Sequence, residues 1–111
     1  MLAANMPSDQ APAGANRKPS TLLSSGAWPG LRAALGLSQR ELQVVKGVFR
    51  DEKEQSIAGD LGISPHTVST YLQRIYAKLR VGSRPQLIVR VMAEYLSLER
   101  HSQDVARAVD R

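Results

Sequence analysis

Between residues 64 and 84 the chain gathers side chains that can read and hold a polyanion. Ser64, His66, Thr67, Ser69, Thr70 and Gln73 come first, and Arg74, Lys78, Arg80 and Arg84 follow. Short hydrogen-bonding side chains let a helix backbone approach base edges in a major groove about 12 Å wide, and cations beyond them meet phosphates. The amides at the start of a helix at Pro65, with the side chains of His66 and Thr67, suit a phosphate through the helix dipole. The net charge is +5, and residues 64–96 hold Arg74, Lys78, Arg80, Arg84 and Arg90 against the acid Glu94. Charge concentrated in this way points to an anionic partner, double-stranded DNA being the one this pattern fits.

Other chemistries find little support. The chain has no cysteine, and His66 and His101 stand far apart, so neither a metal site nor a cofactor is expected. Asp51, Glu52 and Glu54 cluster where carboxylates favour the start of a helix. With no nucleophile or base placed to work with them they read as solvated, and no enzyme is expected. No run of eighteen apolar residues occurs, and the start "MLAANMPSDQAPAGANRKP" lacks the features of a secretory signal. The expected location is the cytoplasm, at the bacterial nucleoid, with no membrane partner.

Helices carry these residues. The pattern predicts an all-α protein: a compact four-helix domain containing a helix-turn-helix, preceded by a disordered N-terminal arm. Residues 1–30, rich in Ala, Pro, Ser, Asn and Gly, read as that arm, 31–97 as the domain, and 98–111 as a tail or helical extension. Trp28, in a Pro/Gly setting, is expected to pack loosely. Ser38 with Glu41 has capping-box spacing, and Leu42, Val45, Val48 and Phe49 form the apolar stripe of the helix that follows. A second helix runs from about Glu54 to Leu61 and stops at Gly62, a residue suited to a left-handed helix end. Ser64 then caps a third helix with Pro65 in its first position, and Val68, Leu72, Ile75 and Leu79 form its buried stripe. A fourth, beginning near Ser83 and Pro85, runs to about Leu96 and is apolar on two sides. Leu87, Ile88, Val91 and Tyr95 close the core, and Pro85, Val89 and Met92 are left for a second copy of the chain.

At these residues the chain resembles a family. "LSQRELQVV", "IAGDLGISPHTVSTYLQRIYAKL" and "RVGSRPQL" resemble the DNA-binding domain of LuxR-type transcriptional regulators, which include GerE-like proteins and the output domains of NarL-type response regulators. The resemblance covers about residues 37–96. It implies a domain whose third helix enters the major groove and whose fourth pairs two copies on a two-fold-related site. Thr67 then falls at a phosphate-contacting position, Ser69, Thr70 and Gln73 at base-facing positions, and Val89 on the dimer helix. Two departures matter: the family commonly has Lys after "TV" and His two residues later, where this chain has Ser69 and Tyr71. An alternative is a protein-interaction module, or a sigma-factor-like domain that binds promoter DNA and contacts RNA polymerase. The continuation "KLRVGSRPQLIVRVMAEYL" favours the LuxR-type reading. With about 37 residues before the first expected helix, the chain is either a stand-alone regulator or a piece of a longer one.

Overall fold

A computed structural model describes residues 23–109, with side chains to residue 103. Among these residues every regular element is helical: a 3₁₀ turn at Ser25–Ala27, then α1 (Trp28–Leu35), α2 (Gln39–Phe49), α3 (Glu54–Leu61), α4 (Pro65–Leu79) and α5 (Arg84–Val109). The four expected helices are α2 to α5, and α1 is additional. The arm expected over residues 1–30 lies outside the described residues up to residue 22.

Residues 23–30, placed in that arm, are folded here. Trp28 is buried, not loosely packed: its ring meets Phe49 edge-on at 5.2 Å between centroids, with Lys46 Nζ 5.8 Å from its own centroid. Trp28, Leu31 and Leu35 form a buried stripe at spacings of three and four, and Gly36, at φ 69°, ends the helix in the left-handed region. The other side of α1 meets α5, where Leu98 Cδ1 lies 3.8 Å from the place a Cβ on Gly30 would occupy. Helix α5 continues past Leu96 to Val109, the helical form of the extension expected after residue 97.

The core beneath joins Leu31, Val44, Val45, Phe49, Ile57, Val68, Ile75, Leu87 and Val91, all essentially without solvent exposure. Gly47 lets α2 and α3 meet closely, since a Cβ there would sit 2.6 Å from Ile57 Cγ1. At the start of α2 the Ser38 hydroxyl accepts from the Glu41 amide at 3.1 Å, and the Glu41 carboxylate accepts from the Ser38 amide at 2.8 Å. This is the reciprocal cap expected from the sequence.

Candidate nucleic-acid interface

Three residues turn the chain from α3 into α4. Gly62 takes φ 69° and its amide donates to the carbonyls of Ala58 and Gly59, while the Ile63 amide returns to Ala58. The Ser64 hydroxyl accepts from the Thr67 amide at 3.1 Å and lies 2.9 Å from the Thr67 hydroxyl, and Pro65 occupies the first turn. Helix α4 buries Val68, Leu72, Ile75 and Leu79, the expected stripe, with Tyr71 and Tyr76 half-buried beside it. Burial pushes the Tyr76 phenol above its ordinary range, with nearby Arg84 opposing the rise and Glu54 adding to it.

The opposite side of α4 is open. His66, Thr70, Gln73, Arg74, Ala77 and Lys78 are exposed, and Thr67 and Ser69 are half-buried at its edge. Two hydroxyls on this side are already engaged as donors: Ser69 Oγ donates to Glu54 Oε1 at 2.6 Å, and Thr70 Oγ1 donates to the His66 carbonyl at 3.1 Å. Arg74 extends over the Tyr71 ring, 5.4 Å from its centroid. Arg80, exposed, closes α4 with φ 60°.

The cations at the far end are not equivalent. Lys78 Nζ donates to Glu41 Oε1 at 2.6 Å and to the Gly36 carbonyl at 2.9 Å. Arg84 Nη1 donates to the Glu52 carbonyl at 2.7 Å. Glu41 is only 2% exposed. Burial alone would raise its carboxyl, but the hydrogen bonds from Lys78 and Ser38 and the charge of Lys78 outweigh it and hold the group below its ordinary value. The acids read as solvated divide accordingly. Asp51 is open, but half-buried Glu52 pairs with Arg50 at 3.2 Å and Glu54 holds Ser69. No spacing rule links residues 41 and 78 or 54 and 69, since these pairs meet only once the helices are packed.

On α5, Leu87 and Val91 are buried, and Ile88, Met92 and Tyr95 pack half-buried against the core. Val89 and Leu96 are 68% and 54% exposed. Together with Pro85 and Ala93 they form an open apolar stripe, beside a shallow groove of about 450 Å³ lined by Val81, Pro85, Gln86, Val89, Arg90 and Ala93. Met92, expected on this stripe, points partly toward the core. No described helix is long and apolar enough to cross a membrane, and no group of His or acidic residues among those described could hold a metal.

Two packed helices joined by a Gly-containing corner over a shared all-helical core, the second with an exposed polar face, define a helix-turn-helix domain. The family model for bacterial regulatory proteins of the luxR family matches residues 35–91, just over half the chain. The chain belongs to that family of DNA-binding transcriptional regulators, which is not an enzyme class. It is 43% identical over 53 residues to transcriptional regulatory protein FixJ of Azorhizobium caulinodans, covering 48% of this chain and 25% of FixJ. Response regulator GacA of Pseudomonas aeruginosa is 43% identical over 51 residues, covering 46% of this chain and 24% of GacA. The probable transcriptional regulatory protein NarL of Mycobacterium tuberculosis is 35% identical over 60 residues, covering 54% and 28%. The chain thus spans about a quarter of the length of the curated relatives it matches. No solved structure matches it.

Proposed function

We infer that the chain binds specific DNA sequences as a homodimer, with α4 in the major groove and α5 pairing the two copies. The observation that carries this reading is the open side of α4, where exposed Thr70 and Gln73 share a face with Ser69, while Val68, Leu72, Ile75 and Leu79 point into the core. Small or flexible polar side chains there allow close approach to base edges. Arg74 and Arg80 then meet phosphates, with Ser64, His66, Thr67 and the first amides of α4 holding the backbone at the helix start. Lys78 and Arg84 border the same surface while spending hydrogen bonds on the fold.

The test is selection of bound duplexes from a random pool, followed by a salt titration on the sequence obtained. An enriched two-fold-related sequence is expected. Affinity should fall with a log–log slope of about 0.9 for each phosphate neutralised. A flat salt dependence, or no enriched sequence, refutes the reading. Val89→Glu places a charge in the open apolar stripe of α5 and is expected to reduce both self-association and binding to paired half-sites. Unchanged self-association would assign the stripe to a different protein, RNA polymerase being the first to examine.

A further inference from the structure

A serine hydroxyl has one proton to give and two lone pairs to receive with. On Ser69 that proton is spent: Oγ donates to Glu54 Oε1 at 2.6 Å, the short separation of a bond to an ionised carboxylate. Glu54 lies in the first turn of α3 and Ser69 in the second turn of α4, so the contact bridges the two helices of the motif. The next residue repeats the condition by another route, because Thr70 Oγ1 gives its proton to the His66 carbonyl one turn back at 3.1 Å. Two neighbouring hydroxyls on the open side of α4 therefore retain only lone pairs for anything that approaches.

We propose that Glu54 is a specificity-determining residue: by taking the Ser69 proton it turns that hydroxyl into an acceptor, which selects a base presenting an exocyclic amine in the major groove. This rests on α4 reading the groove. Adenine N6 and cytosine N4 carry such amines, whereas guanine O6 and N7 and thymine O4 would set lone pair against lone pair. Thr70 is restricted to the same partners, and its methyl group adds an apolar contact. Glu54 acts through Ser69 and needs no base contact of its own, so it is a positioning residue.

The experiment compares base profiles selected from a random duplex pool by the full chain and by Ser69→Ala, Glu54→Ala and Glu54→Asp. The unaltered chain is expected to enrich adenine or cytosine at the position whose preference Ser69→Ala erases, by roughly 2- to 10-fold, the range of one net hydrogen bond. Glu54→Ala frees the Ser69 proton, so the same position should then accept guanine or thymine. Glu54→Asp keeps the negative charge at the helix start but is one methylene too short to hold Ser69, and should relax the same position. This variant separates positioning from charge and covers the case in which the alanine variant melts early. Guanine or thymine selected there by the unaltered chain overturns the proposal. So does a uniform gain in affinity for Glu54→Ala with unchanged base preferences in both Glu54 variants, since that is the signature of lost repulsion alone. Failure of the unaltered chain to enrich any sequence would instead overturn the groove-reading assignment beneath it.

Discussion

The two ends of α4 put similar side chains to different uses. In its first turns Ser69 reaches no further than Glu54 on α3 and exposed Thr70 bonds within its own helix to the His66 carbonyl, with exposed Gln73 on the same side one turn on. Near its end, Lys78 reaches across to α2 and the α1–α2 turn, and Arg84 just beyond reaches back to the α2–α3 loop. A cation on the surface of a DNA-binding domain is readily assigned to phosphate, yet Lys78 neutralises an acid that is 2% exposed. Removing the cation would strand that acid, so its first duty is to the fold. The open end carries recognition and the tied end carries stability, and variants at each should separate the two.

The largest effect is expected at the tied end. Lys78→Ala leaves the Glu41 carboxylate buried with only its Ser38 partner, and should cost roughly 2–3 kcal/mol of stability. That is below the range for a fully enclosed pair, because the Lys78 side chain is 36% exposed and partly screened. Thermal or denaturant melts measure it, and a loss of DNA affinity without a loss of stability would break the division. Gln73→Ala should behave oppositely. Its stability should stay within about 0.5 kcal/mol of the parent, as for an exposed site, while discrimination between bases falls by roughly 1–3 kcal/mol if the amide makes a bidentate contact. Selection profiles read at one position report it.

A smaller effect follows from the same ion pair. Because Glu41 titrates below its ordinary value of 4.5 in the folded chain, its contribution is fully present above about that pH. It is lost as the pH falls through the lower folded value. Glu41→Gln should cost about 1–2 kcal/mol near neutrality and flatten stability against pH over that acid window. An unchanged pH profile would mean that Lys78 contributes to the fold only through its carbonyl contact and its packing.

The sequence showed those parts of the domain that depend on neighbours in the chain. The Ser38–Glu41 cap, the Gly62 corner, the Ser64–Pro65 start and the buried stripe of α4 are all set within one or two turns, and each lies where its local pattern put it. The open side of α4 was legible for the same reason, since it is the complement of that stripe. Helix α1 had signals too: Trp28, Leu31 and Leu35 at helical spacing, with Gly36 after them. The Pro and Gly that follow Trp28 argue locally for an arm, although proline is well accommodated in a first helical turn, where Pro29 stands. Contacts between distant residues were invisible. Lys78 with Glu41, Ser69 with Glu54 and Arg84 with the Glu52 carbonyl depend on how helices cross, whereas residue type alone assigns Lys78 and Arg84 to phosphate, Glu52 and Glu54 to water, and Glu41 to its cap alone.

Arg80 lies between the two regimes, and a single change there should move stability and binding in opposite directions. It caps α4 with φ 60° and ψ 46°, a left-handed conformation in which a Cβ crowds the backbone, while its side chain is exposed. Glycine takes that conformation without the clash, although it also gives the unfolded chain more freedom to lose. Arg80→Gly should therefore stabilise the domain by about 0.5–1 kcal/mol after that offset, an upward shift in melting temperature of a few degrees. The same variant removes a cation proposed to meet phosphate, so the salt slope should fall by about 0.9 for each copy, about 1.8 for the dimer, with base preferences unchanged. A stabilised domain with an unaltered slope would move Arg80 off the DNA surface and leave Arg74 as the last cation of α4 assigned to phosphate. A reduced slope without stabilisation would show that the arginine side chain itself supports the helix end, placing Arg80 with Lys78 and Arg84 among the residues tied to the fold.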